Sequence, residues 1–139
     1  MDRRTRRELM QRLRADADQI CQEFGLRYSA LEPERANVKR RYGICYADGT
    51  IKIRLRHVNT GRPLKYSSLV STLCHELAHL RHFDHSPRFQ KFYLELLRWA
   101  RMRGLYQPGA NGKRGPGEPV EDEAVKEPGP RKPEQLTLF

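Results

Sequence analysis

No stretch of this sequence is apolar for anything near the roughly 20 residues that a membrane-spanning helix needs. Cysteine is scarce: Cys21, Cys45 and Cys74 are odd in number, widely spaced and without a Cys-x-x-Cys pair. A disulfide framework and a cysteine-type zinc finger are thereby excluded. A reducing setting is expected, the cytoplasm with nucleoid association as a variant. Residues 1–7 hold four arginines and lead into no apolar h-region, so no secretory signal is expected. Acidic residues are the minority charge, 17 against 27 Lys and Arg, for a formal net charge of +10. The 139 residues have room for one domain rather than two of ordinary size, and a monomer is the simplest expectation.

The positive charge is uneven. Residues 107–139 carry six of the nine prolines, five of the ten glycines, five basic residues and six acidic ones. Taking those five and six from the totals of 27 and 17 leaves 22 basic and 11 acidic residues in 1–106, a net +11. So few apolar side chains cannot offset the entropy of ordering, and 107–139 is expected to be a disordered tail to a folded domain at 1–106. A domain of about 100 residues at that charge draws polyanions by steering and counterion release, DNA among them. Solubility is the plainer account of the same arginines.

Leu9, Leu13, Ala17, Ile20 and Phe24 recur at helical spacing, and Gly25 is placed to end that helix. Arg3, Arg4, Arg6 and Arg7 lie on its opening turns. Residues 42–47 and 50–58 read as strands joined at Asp48-Gly49. In the second, Ile51, Ile53 and Leu55 alternate with Lys52, Arg54 and Arg56, giving one apolar and one basic face. Those three and the four arginines are the candidate DNA contacts. A helix capped by Ser67 or Ser68 would bury Leu69, Val70, Leu73, Leu77 and Leu80. Another, opened by Ser86-Pro87 and stopped near Gly104, would bury Phe89, Phe92, Tyr93, Leu96, Trp99 and Ala100. That aromatic stripe could stack bases, though its spacing favours core packing. The expected class is α+β, a small antiparallel sheet packed with helices.

Four of the five histidines fall in His75-Glu76-Leu77-Ala78-His79-Leu80-Arg81-His82-Phe83-Asp84-His85. His75 and His79 leave one helix face about a turn apart, which lets both imidazoles chelate one Zn²⁺. Glu76, roughly 100° around the helix, can lean over a metal-bound water without ligating, as a general base must. A catalytic zinc takes three protein ligands and keeps one position open. His82 shares the helix face, but on a continuing helix its Cα would lie about 10 Å from that of His75, and collinear ligands cannot surround a tetrahedral ion. His85 is better placed, because the chain must turn before Ser86-Pro87. The spacing is that of H-E-x-x-H-x-x-G-x-x-H, with His82 where glycine stands. Glu95, on the following helix, is the weaker candidate. His82 and Asp84 could orient a ligand or hold an oxyanion, or simply face solvent, and His57 is expected to be structural.

His75-Glu76-Leu77-Ala78-His79-Leu80, followed by His85-Ser86 and Phe89, resembles the SprT-like, YgjP-like and WLM group of zinc metallopeptidases. Arg41-Tyr42-Gly43-Ile44-Cys45 and Gly49-Thr50-Ile51-Lys52-Ile53 are similar to that group's Arg-Trp-Gly-Ser-Cys and Gly-x-Ile strands, with Tyr42 for Trp and Ile44 for Ser. The resemblance covers about 40–92. It implies a minimal zincin domain with one Zn²⁺ on His75, His79 and His85, and Glu76 as the base that activates a zinc-bound water against a peptide bond. The SprT and WLM branches include proteases acting on proteins bound or crosslinked to DNA, whereas some YgjP-like relatives point to small substrates. A metallopeptidase for DNA-associated proteins is the first reading. The alternatives are a zinc hydrolase of a small substrate such as a nucleotide, and a non-catalytic DNA- or clamp-binding adaptor with structural zinc. Glu76 argues against the last, since a structural site needs no base.

The final residues are Gln135-Leu136-Thr137-Leu138-Phe139. Three large apolar side chains at the tip of a polar segment invite burial in a partner's groove, or against the chain's own domain. The string resembles the peptide with which bacterial DNA polymerases and repair proteins bind the sliding clamp. That implies Gln135 hydrogen-bonding beside a pocket filled by Leu136, Leu138 and Phe139. A flexible linker over 107–134 would reach roughly 30 Å.

Overall fold

Asp2 opens the first helix by accepting the Thr5 N–H at 2.8 Å, and α1 runs Arg3–Phe24. Gly25 closes it with φ 68°, which lets the Leu26 N–H reach the Cys21 carbonyl. The chain then forms β1 (Ala30–Pro33), β2 (Gly43–Cys45), β3 (Thr50–Ile53), α2 (Tyr66–Ala78) and α3 (Pro87–Met102). This computed structural model describes residues 1–109. The expected tail beyond them and its 135–139 string lie outside the described residues.

The class is α+β, but the sheet is mixed rather than antiparallel. Its order is β1-β3-β2, with β1 parallel to β3 (Leu31 opposite Ile51) and β2 antiparallel to β3 (Ile44 opposite Lys52). β1 escapes a pattern reading because it has four residues, one buried side chain and a proline at its end. β3 is the central strand, paired along one side by β1 and along the other by β2. The Asp48-Gly49 turn forms as its residue types demand: Gly49 takes φ 92°, and the Asp48 carboxylate accepts the Thr50 N–H at 2.9 Å.

Alternation holds only as far as Ile53. Arg54 and Leu55 are both buried, so the basic face proposed for 52–56 loses its middle member. Residues 54–58 do not continue the strand but turn back on themselves. His57 N–H bonds to the Arg62 carbonyl at 2.8 Å and Leu64 N–H to the Leu55 carbonyl at 2.9 Å.

α2 is the centre of the domain, packed by α1, α3, β2 and β3, and every residue from Ser67 to Ala78 is buried. Ser67 and Ser68 are therefore inside the first turn rather than capping it, and the N-cap is Lys65 with no side-chain cap bond. The Tyr66 hydroxyl donates to Asp16 at 2.6 Å and ties the start of α2 to α1. α3 opens as expected: Ser86 Oγ accepts the Phe89 N–H, Pro87 follows, and Phe89, Phe92, Tyr93, Leu96 and Ala100 are buried. Trp99 is half-buried, edge-on to Phe24. Among the described residues no helix is long and apolar enough to cross a membrane.

Candidate metal centre

α2 ends by tightening. His79, Leu80 and Arg81 donate to the carbonyls of Glu76, Leu77 and Ala78, three residues back, at 3.0–3.1 Å. Among the described residues no side chain other than hydrogen stands at positive φ, so the turn after His79 forms without the freedom that glycine supplies at His82. Asp84 then accepts the Ser86 N–H at 3.2 Å, and hydrogen bonding from Ser86 holds its carboxyl below the ordinary carboxylate range. The reversal brings His85 back over the end of α2. One ring nitrogen from each of His75, His79 and His85 then lies within 4.8 Å of the others.

Phe89 is the floor of this cluster. Its ring stacks on His79 at 4.3 Å and meets His75 and His85 edge-on at 4.9 and 5.1 Å, and it is fully buried. Tyr93, one turn along α3, adds an edge contact to His75 at 5.5 Å and shares a 2.9 Å hydrogen bond with Ser71. His79 Nδ1 lies 3.0 Å from the His82 carbonyl. A carbonyl only accepts, so Nδ1 carries the proton and Nε2 keeps its lone pair for a metal.

The other candidates fall away from the cluster. His82 contributes its carbonyl, while its ring packs edge-on to Phe92 at 5.8 Å. Glu95 is exposed on the outer face of α3 beside Leu94 and Arg98. Asp84 serves the turn. His57, expected to be structural, is exposed in the turn after β3.

Two nitrogens on one tetrahedral zinc stand about 3.3 Å apart, given bonds of about 2.0–2.1 Å. The three imidazole nitrogens lie within 4.8 Å of one another, so a small inward shift of the rings would bring them to that spacing, and the donor set, two buried and His85 exposed, fits a zinc ion.

Glu76 is buried at 3% exposure, and the reason lies on the sheet. A Cβ placed on Gly43 would stand 2.7 Å from Thr72 Cγ2 and 3.1 Å from both Cγ and Oε2 of Glu76. β2 can lie this close to α2 only with glycine at that position. Gly43, part of the Arg41–Cys45 string, is a functional position that residue type and spacing alone do not single out. The available signal was a glycine interrupting a strand pattern, which marks close backbone approach.

Of the basic candidates, Arg3, Arg4, Arg6 and Arg7 are exposed on α1, with Arg4 paired to Glu8 at 3.3 Å. Lys52 and Arg56 are half-buried. Arg54 is 7% exposed, donates to the Val38 carbonyl at 3.2 Å and lies over the Tyr42 ring, so it is withdrawn from the open surface.

A His-Glu-x-x-His helix, a third histidine returned by a tight turn and a short mixed sheet across the helix define a zincin-like α+β domain. The WLM domain model matches residues 2–137, and the chain belongs to the WLM family. Of the three groups resembled by the sequence, this is the one the match selects, and it runs past residue 106, where composition places the domain's end. The fold is also that of Wss1. A mutant of Wss1 from Saccharomyces cerevisiae superposes with a TM-score of 0.66 at 21% identity, covering 76% of this chain and 87% of that one. A further structure of Wss1 from S. cerevisiae gives 0.62 at 22%, covering 70% and 80%. Wss1 from S. pombe gives 0.60 at 24%, covering 72% and 86%. No curated protein matches the chain by sequence.

Proposed function

We propose that this chain is a zinc-dependent metallopeptidase that cleaves proteins bound or crosslinked to DNA. The observation that carries the reading is the convergence of His75, His79 and His85 beside a buried glutamate on the same helix. Those three imidazoles would hold one zinc ion, which when bound supplies Lewis acidity and lowers the pKa of water toward neutrality. Glu76, buried against Gly43 of β2, takes the proton of the attacking water and delivers it to the leaving amine. Phe89 fixes the three ring planes, and the His82 carbonyl fixes the tautomer of His79. β2 is an outer strand of the sheet, and its Gly43 lies so near Glu76 that an added Cβ would stand 3.1 Å from Oε2. A substrate peptide pairing along that strand would pass its backbone across the carboxylate.

The +11 balance of residues 1–106 supports the DNA part of the reading. Gln135, Leu136, Leu138 and Phe139 add recruitment by a bacterial sliding clamp, with the enzyme acting as a monomer at the nucleoid. The test is cleavage of a DNA-crosslinked protein by the zinc-loaded enzyme, with and without free DNA. Glu76→Gln should retain zinc and lose turnover by about 10²–10⁴-fold, and a chelator should abolish activity. Zinc binding with no protein cut would put hydrolysis of a small substrate in its place.

A further inference from the structure

A second concavity, of about 650 Å³, lies between the start of α1, the segment after β1 and the turn after β3. None of His75, Glu76, His79 or His85 lines it. Five cations do: Arg6, Arg35, Lys39, Arg54 and Arg56. The one carboxylate lining it, Glu34, is already neutralised, because its Oε2 accepts Nε and Nη2 of Arg41 at 3.0 and 2.8 Å. Among the described residues no carboxylate oxygen comes within 4.0 Å of any of the five.

Arg54 gives this groove its meaning. Taking a guanidinium out of water costs free energy unless charge compensates it; the groups that touch it here are neutral, the Val38 carbonyl and the Tyr42 face, and the one carboxylate whose charge acts on it, Glu34, is itself paired to Arg41. Those partners hold the fork in one orientation and leave part of its five-donor capacity for an occupant. Positive charge drawn from three separate chain segments, around a buried guanidinium and with the single lining carboxylate already paired to Arg41, selects an anion. The volume is that of a whole ligand rather than one phosphate, so the charges of that anion must be spaced along it.

We infer that this groove is a nucleic-acid site and that its cations hold consecutive phosphates of one backbone. The inference deepens the DNA role proposed above and rests on it. It separates that role from the histidine cluster, since the two sites share no residue. Arg6 reaches the groove from the α1 turns that also carry Arg3, Arg4 and Arg7, so the strand would run on over the start of that helix.

Binding of labelled single-stranded and duplex oligonucleotides to the full-length chain tests this, read by fluorescence anisotropy across a salt series. Arg35→Glu with Lys39→Glu, both exposed, should weaken binding on the order of tenfold or more. Arg98→Glu with Arg101→Glu, which makes the same charge change on exposed α3 positions outside the groove, should leave it nearly unchanged. Neutralising the groove pair to glutamine should reduce the slope of log K against log salt by about 1.8, two phosphates at about 0.9 each. Arg54→Lys, which keeps the charge and loses the fork, should fall between wild type and the pair; if it does not fold, the exposed pair still decides. Equal losses in the groove and α3 pairs would overturn the site and assign binding to diffuse charge. Displacement of the oligonucleotide by ATP or orthophosphate at equal phosphate concentration would also overturn it, in favour of a small-anion pocket. Wild-type protein that binds neither oligonucleotide would remove the DNA role itself, while protein cleavage is scored in its own assay.

Discussion

Gly43 on β2 and Glu76 on α2 stand so close that one methyl group on Gly43 would lie 3.1 Å from the carboxylate oxygen Oε2. The sheet thus sets the position of the glutamate through the absence of a side chain. Gly43→Ala is expected to cost about 1–3 kcal/mol of stability by overpacking. It should also lower peptide turnover by up to about 10²-fold, the scale of a misplacement near 1 Å. Thr72→Ser removes the nearest methyl, so the double variant should regain stability in urea denaturation and stay slow, because the contact with Glu76 persists. Recovery of turnover along with stability would mean that Gly43 matters only for packing.

His85 is the exposed member of the histidine cluster, delivered by a turn rather than by a helix. Zinc at a hundredfold excess over its Kd should stabilise the wild-type fold by about 2.7 kcal/mol through linkage, read as a thermal shift. His85→Ala should lose most of that shift together with zinc content. His82→Ala and Glu95→Ala should keep both, since neither side chain joins the cluster. An undiminished shift in His85→Ala would take that residue out of the ligand set.

Cys21 and Cys74 lie in the core, and burial raises both thiols, Cys21 from an ordinary value of 9.0 to about 11. Below pH 9 these thiols are protonated in the folded and the unfolded chain alike, and their contribution to stability is fully present. Between about pH 9 and 11 the unfolded chain releases protons that the folded chain retains, so stability should fall as pH rises through that window. Urea midpoints measured from pH 7 to 11 check the direction. Replacing Cys21 by alanine and Cys74 by valine should flatten the alkaline limb. A limb unchanged by both substitutions would assign it to the tyrosines, of which Tyr28 and Tyr66 are also shifted upward by burial.

The helices were legible where sequence carries its own punctuation. α1 shows a four-four-three-four apolar stripe and a glycine stop, and α3 shows Ser86-Pro87 at its start; both behave as those residues dictate. The Asp48-Gly49 turn was legible for the same local reason. β1 was not, because a four-residue strand with one buried side chain acquires its identity from pairing in parallel with β3, a contact between distant parts of the chain. Arg54 was misread because period-two alternation was carried past Ile53, where the ladder ends and a loop turns the guanidinium inward. Ser67 and Ser68 misled because α2 is buried on all sides, which erases the polar face that would have shown where its first turn lies. The histidine triplet was legible from spacing, since a helix and a following turn place it. Gly43 was not, because its importance is a distance between a strand and a helix, and no local pattern encodes that.

The 135–139 string invites one further test, in which recruitment and catalysis come apart. If Gln135, Leu136, Leu138 and Phe139 form a sliding-clamp ligand, their chemistry is independent of the histidine cluster. Deleting 135–139 should abolish retention of the chain on a purified clamp and leave cleavage of a free protein substrate at its full rate. Leu138→Ala with Phe139→Ala should do the same without shortening the chain, since aromatic and aliphatic anchors dominate peptide-in-groove binding. Glu76→Gln should give the converse, normal clamp retention with no cleavage. Clamp retention untouched by the deletion would discard the recruitment role. Loss of cleavage on free substrate would instead show that these residues fold against their own domain, the plainer of the two uses open to three apolar side chains at the end of a polar segment.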